Sequence, residues 1–249
     1  MSLLDSWTPG AHTNDGVTHP TYRKGSGPGV ILIHEIPGIT PEVIGFAEEL
    51  VAAGYTVVMP HLFGRPEVGM SVGSTLGALR QLCVSAEFTK LATGVTSPVA
   101  GWLRSLAREL HSELDGPGVG ALGMCFTGGF ALAMMVDPSV AAPVVAQPSV
   151  PFAIGKKRGA DLNLSPGDLD AVRRRAGAGC EVLGLRYRND SATGTRFDTL
   201  TREIGDRFLR VELDGKGHST LTLHRRQEAV DRVLAFFKEK LRVGAPEAG

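Results

Sequence analysis

Very little in this chain could staple it from outside its own core. Three cysteines in 249 residues are a sparse and odd-numbered set. They form no disulfide framework, so a reduced, cytoplasmic setting is expected. Charge of one sign is missing as well. Lys plus Arg and Asp plus Glu both number 26, for a formal net charge of zero. That argues against the basic footprint of a nucleic-acid binder and against a polybasic run seeking an anionic membrane surface. No apolar stretch approaches the roughly 20 residues of a membrane span. The opening MSLLDSWTPGAHTNDG has no basic segment followed by an apolar core, so no secretory signal is expected. The seven histidines show neither HExxH nor another metal-ligand spacing, so no metal site is expected. Repeats and low-complexity tracts are absent. About fifteen residues at the start and the closing GAPEAG read as frayed ends.

What is present is a hydrophobic content of 43 %, ample for a sizeable core, so residues 1–249 read as a single domain. The chain alternates between two periodicities. GVILIHE, YTVVMP, VGALG, VAAPVVAQP, CEVLGLRYR and RFLRVEL are short apolar or β-branched runs of the kind that make buried strands. Helical segments lie between them. TPEVIGFAEELVAAG has Thr40 as N-cap, Pro41 in the first turn and Gly54 as stop. SPVAGWLRSLARELHSEL is amphipathic and opens at Ser97 and Pro98. SPGDLDAVRRRAGAG has Ser165 as N-cap, Asp168 three residues on and Gly177 as stop. RFDTLTREIG and LHRRQEAVDRVLAFFKEKL complete the set. Strands alternating with helices imply an α/β fold, with a mostly parallel sheet covered by helices on both faces. Segments 61–96 and 148–166 are weakly patterned or rich in Gly and Pro, and read as loops over a site.

In such sheets, chemistry gathers at the carboxyl ends of the strands. Glu35 follows the first core strand, Cys125 the third, Asp190 the fifth and His218 the sixth. The chain order nucleophile, acid, histidine is that of the nucleophile-elbow hydrolases. The stretch GMCFTGG suits such an elbow. A nucleophile on a tight strand-to-helix turn needs small neighbours, and the turn sets its thiol at a helix N-terminus that favours thiolate. The N–H of Phe126 then points at a developing oxyanion, and the N–H of Ile36 is the natural second donor. A bland alternative exists for each residue. A lone cysteine in a glycine-rich turn is most often a small hydrophobe, as Cys83 and Cys180 are taken to be. His218 could be an ordinary loop histidine and Glu35 a surface acid. Asp198, inside a helix, and Asp214, in the loop of His218, compete with Asp190 for the acid.

Together these stretches resemble the dienelactone hydrolases, a cysteine-nucleophile branch of the α/β-hydrolase fold. The resemblance runs from about residue 28 to about 240. It is carried by HEIPG, MPHLFGRP, GMCFTGG, Asp190 after its strand, and GHST around His218. It implies an α/β-hydrolase domain that cleaves lactones or esters without a cofactor, as a monomer or weak homodimer, on a small-molecule substrate. It also implies Cys125 as nucleophile, His218 as base, Asp190 as the acid that orients it, and Glu35 as partner of the resting thiol. Phe126 and Ile36 match the family's oxyanion positions. The elbow departs from the common Gly-x-Cys-x-Gly-Gly in carrying Thr127. The stretch after the histidine is STLTL, where the dienelactone enzymes have a carboxylate-holding arginine. Substrate contacts are therefore expected from Arg65, in HLFGRP, and from Ser219. A broader carboxylesterase or thioesterase, or a catalytically silent binding protein of the same fold, are the alternatives.

Overall fold

The structure is a computed structural model. It describes residues 2–88 and 92–241, with the side chains of Cys83 and Val84 outside the description. Eight strands form one sheet in the order β1-β2-β4-β3-β5-β6-β7-β8. β3 (Gly29–Ile33), β4 (Thr56–Pro60), β5 (Val119–Met124), β6 (Val140–Ala146), β7 (Val182–Tyr187) and β8 (Phe208–Leu213) run parallel. β1 (Thr8–Asn14) and β2 (Val17–Lys24) add an antiparallel edge. β3, β4 and β5 are buried at every position, as a strand covered on both faces must be.

Alternation along β3 sends its side chains to two cores. Val30 and Leu32 join α1 (Pro41–Ala52) and α8 (Gln227–Leu241) through Val43, Phe46, Val233 and Phe237. Ile31 and Ile33 join α3 (Val99–Glu113), α4 (Gly128–Met134), α6 (Pro166–Gly177) and α7 (Arg196–Ile204) through Leu103, Phe130, Val172 and Phe197. The helix starts follow local chemistry. The Thr40 hydroxyl accepts from Val43 N–H, and Ser165 accepts from Asp168 N–H. Gly54 takes φ +91°, the left-handed stop expected for α1, whereas α6 finds its own at Gly179, φ +103°, two residues past Gly177. Ser97 lies before α3, and its hydroxyl donates to Asn163.

Three expectations need correction. Residues 2–15 are not frayed. β1 pairs with β2 through a two-residue turn whose Asp15 and Gly16 both have positive φ, +50° and +77°, and Leu4 and Trp7 are buried in the α1/α8 core. The dipeptide Asp-Gly between two polar-apolar runs was the available signal. The stretch 61–96 is not all loop. Ser71 and Ser74 form a reciprocal capping box that starts α2 (Val72–Val84), a helix hidden by its weak apolar pattern. Short α5 (Gly155–Gly159) likewise sits within 148–166. Residues 221–224 form turns, so His224 to Arg226 precede the last helix. The closing GAPEAG lies outside the described residues. No described helix is long and apolar enough to cross a membrane.

Candidate active site

The elbow is built by sterics. β5 ends at Met124, and Cys125 takes φ +53°, a left-handed conformation that costs a non-glycine residue on the order of 1–2 kcal/mol. One 3-10 turn, Cys125–Thr127, follows and runs into α4. Two glycines make the turn possible. A Cβ on Gly123 would lie 2.2 Å from the Thr127 carbonyl oxygen. One on Gly128 would lie 2.8 Å from Pro148 Cα and 2.9 Å from the Ala146 oxygen. Thr127, the departure from the common elbow, is fully buried and works as a tie. Its hydroxyl accepts from Met124 N–H at 3.0 Å and faces the carbonyl oxygens of Ile33 and His34, both at 3.1 Å. It therefore links the Cys125 turn to the end of β3 and to His34, two residues before Ile36. The Phe126 N–H sits at the free start of the turn.

His218 and Asp190 come together from the ends of β8 and β7. His218 Nδ1 lies 2.8 Å from Asp190 Oδ2. Asp190 is held in turn by Thr193 Oγ1 at 2.7 Å and Ala192 N–H at 3.0 Å. Burial alone would lower the His218 pKa. Its hydrogen bonds and charge interactions with Asp190 and Cys125 outweigh that and push it up to about 11. The Asp190 carboxyl is below its ordinary range, because the His218, Thr193 and Ala192 bonds overcome burial. The competing acids are engaged elsewhere: Asp198 bonds Arg210 at 2.7 Å and Asp214 bonds Arg188 at 3.2 Å. Tyr187 secures the histidine loop by donating its hydroxyl to the His224 carbonyl. Cys125 Sγ is 3.4 Å from Ser149 Oγ, and Ser149 N–H donates to the Cys125 carbonyl at 3.0 Å.

Glu35 and Ser219 do not take the places expected for them. The Glu35 carboxylate is 3 % exposed and accepts from Ser219 Oγ at 2.7 Å and from Thr222 Oγ1. Both oxygens are thus used on the histidine loop, and no hydrogen bond to the thiol forms. Burial raises its pKa, while the Thr222 and Ser219 hydroxyls and the nearby His218 pull it back. Ser219 is buried at 2 % exposure with its hydroxyl given to Glu35, so it supports the loop and is not available to a substrate. Residues 219–222 are tied to Glu35 by these two hydroxyls, which satisfy a carboxylate that burial would otherwise strand.

The sequence profile of the dienelactone hydrolase family matches residues 17–163, more than half of the chain. The chain belongs to the dienelactone hydrolase family. No curated protein sequence matches it. Solved structures share the fold at low identity. A dienelactone hydrolase from Anabaena variabilis superposes with a TM-score of 0.65 at 14 % identity, covering 95 % of this chain and 98 % of that one. A dienelactone hydrolase-like promiscuous phosphotriesterase from metagenomic libraries gives 0.62 at 16 %, covering 94 % and 98 %. A carboxylesterase study of Nitrososphaera gargenis supplies a third, 0.60 at 14 %, covering 92 % and 98 %. The fold is thus the mostly parallel α/β-hydrolase sheet, and a hydrolase is the activity class that the family implies.

The region beside the loop after β3 is open. A cavity of about 340 Å³ is lined by Pro37, Arg65, Val68, Ser71, Ser74 and Gln81, among others, and Arg65 is the only charged residue of that lining. Arg65 is exposed and has no ion-pair partner among the described residues. A smaller crevice joins Glu35 and Ile36 to Met70 and Leu223. His34, beside them, is a scaffold residue. Burial lowers its pKa to about 3, so it is neutral, with Nε2 accepting from Leu62 N–H at 3.1 Å and Nδ1 donating to the Glu35 carbonyl at 3.1 Å. Cys180 is half-buried, its thiol pushed up by burial, and Cys83 falls outside the described side chains. Among the described residues no group of three or more His, Cys, Asp or Glu could hold a metal ion. Sequence reasoning missed Ser149 and Thr193. Ser149 follows a strand predicted correctly, and a hydroxyl at that strand end was the signal.

Proposed function

We propose that the chain is a cofactor-free hydrolase of lactones or carboxylic esters that works through Cys125, His218 and Asp190. The observation that carries this reading is one imidazole held at 2.8 Å by Asp190 and electrostatically coupled to Cys125. The sulfur attacks the ester carbonyl carbon as the thiol proton resides on His218. The carbonyl becomes an oxyanion that the N–H groups of Phe126, after the Cys125 turn, and Ile36, in the loop after β3, would stabilise. The C–O bond then breaks, and the leaving alkoxide takes the proton from His218; in a lactone it stays tethered to the acyl group. Water attacks the thioester with His218 as base, releasing the acid and restoring the thiol. Asp190 keeps the imidazole in one orientation and stabilises its charge throughout.

Arg65, the one charged residue lining the cavity beside Pro37, is our candidate for attracting an anionic substrate, and it would act single-handed. Neutral aryl esters and lactones should therefore compete well with carboxylate-bearing ones. The direct test is stopped-flow burst kinetics with an activated aryl ester on wild type, Cys125→Ala and Cys180→Ala. Wild type and Cys180→Ala should show a burst of one acyl group per chain, and Cys125→Ala none. Turnover by purified Cys125→Ala at wild-type rate would overturn the mechanism.

A further inference from the structure

Arg196 opens α7, yet its guanidinium is 1 % exposed and has no carboxylate within ion-pair distance among the described residues. All five of its N–H donors go to backbone carbonyls. Nε donates to Asp161 O at 2.8 Å. Nη1 donates to Ala192 O at 3.2 Å and Thr193 O at 2.9 Å. Nη2 donates to Arg158 O at 2.9 Å and to Pro151 O. These acceptors belong to two segments. Ala192 and Thr193 form the loop whose N–H and hydroxyl hold Asp190. Pro151 lies two residues after Ser149, which touches the Cys125 sulfur and bonds its backbone.

A buried cation with no carboxylate in ion-pair contact is expensive, and a methionine of similar length would fill the space without that cost. Only a planar fork with five donors can tie two loops at five points. Resting on the triad reading, we propose that Arg196 is a positioning residue that locks the Asp190 loop to the Ser149–Asp161 segment, and so fixes the acid and the thiol side of the site relative to each other.

The guanidinium stays charged at neutral pH. Burial lowers its pKa to about 10, while the charges of Asp161 and Asp190 resist the fall. That gives two opposed expectations. If Arg196 acted through charge alone, its removal would free Asp190 to hold the His218 proton more tightly. If it acts by holding the loop, its removal lets Asp190 drift and His218 loses its proton more readily. The titratable groups facing His218 are Asp190, Cys125 and Glu35.

The experiment follows the imidazole of His218 by NMR pH titration in wild type, Arg196→Lys and Arg196→Met. It is run with kcat/KM on an aryl ester, normalised to thiol titrated in folded protein. Lysine keeps the charge but cannot reach five carbonyls, and it is the variant more tolerant of folding. Positioning predicts that His218 titrates roughly one unit or more lower in Arg196→Lys, with kcat/KM down at least about tenfold and KM little changed. An unchanged His218 titration with kcat/KM within twofold of wild type would reduce Arg196 to a stability element. A rise in the His218 pKa in Arg196→Met with wild-type behaviour in Arg196→Lys would assign the effect to charge and overturn positioning. The NMR titration reads the His218–Asp190 pair whether or not the chain turns over esters, so failure of the hydrolase reading shows separately, as activity retained by Cys125→Ala.

Discussion

Replacing Thr127 by valine keeps the shape of the side chain and removes one hydroxyl. Thr127 Oγ1 is the acceptor for Met124 N–H at 3.0 Å, and both residues are fully buried. No water can replace the acceptor without a cavity, so the orphaned N–H should cost about 1–3 kcal/mol. The hydroxyl hydrogen serves one carbonyl at a time among Ile33, His34 and Met124. Losing that bond adds about 0.5–1.5 kcal/mol. The sum is about 1.5–4.5 kcal/mol. For a chain of this size each kcal/mol moves Tm by about 2–4 °C, so Tm should fall by roughly 3–18 °C. The same hydroxyl ties the elbow to the His34 carbonyl, two residues before Ile36. Loosening it moves the two proposed oxyanion donors apart. A lost donor costs about 10²–10³ in kcat, so a loosened one should cost at least about tenfold in kcat with KM nearly unchanged. Urea denaturation and steady-state kinetics on folded protein measure both, with Thr127→Ser as the control that keeps the hydroxyl. A Thr127→Val protein within about 0.5 kcal/mol of wild type, and with wild-type kcat, would refute the argument.

Other perturbations follow from the same geometry. Burial raises the Glu35 pKa above its ordinary value, so the folded state favours the neutral acid. Its contribution to stability is full below the unfolded value and is lost as pH rises through the folded one. Glu35→Gln should therefore gain on wild type as pH rises above the ordinary carboxyl range, by up to about 1.4 kcal/mol per pH unit while the folded group titrates; parallel urea midpoints on raising the pH from acid to neutral would contradict this. Cys125 holds φ +53°, so Cys125→Gly should be more stable than Cys125→Ala by about 1 kcal/mol, read from denaturation midpoints, and equal midpoints would show the turn unstrained. Arg65→Ala should raise KM for an anionic aryl ester roughly tenfold and leave that for a neutral one alone; equal effects on both would remove Arg65 from substrate recognition.

The sheet was legible because β-branched runs of four or five residues leave few other options, and α1 and α6 because Thr40, Pro41 and Ser165 signal locally. What escaped was carried by partners distant in sequence. α2 is weakly amphipathic and depends on a serine capping box that resembles any serine-rich loop. β1 and its Asp-Gly turn were masked by polar strands at a sheet edge. In the candidate site, the positions of Cys125, Asp190 and His218 at strand ends could be read from order alone. The partners of Glu35 could not. Its hydroxyl donors Ser219 and Thr222 lie more than 180 residues away, with separations of 184 and 187.

The same limit explains how the elbow helix stands at all. α4 has seven residues, GGFALAM, two of them glycine at its start. An isolated helix of that length has no stability in water, since nucleation alone outweighs the few hydrogen bonds it closes. Here it is buried throughout, so its last carbonyls also need protein donors. Two arginines from other helices provide them. Arg104 on α3 gives both Nε and Nη2 to Ala133 O, at 2.9 and 2.8 Å. Arg175 on α6 gives Nε to Met135 O at 3.0 Å and Nη2 to Val140 O at 2.6 Å. Positive charge at a helix C-terminus is favourable in its own right. The helix that presents Cys125 is therefore fixed at its start by the Thr127 hydroxyl and at its end by two guanidinium groups, while Arg196 does the same work for the loop of the acid. In each case a side chain from one element satisfies main-chain carbonyls of another. That arrangement lets glycine-rich, intrinsically weak segments hold Cys125 at its strained φ without help from their own helix propensity.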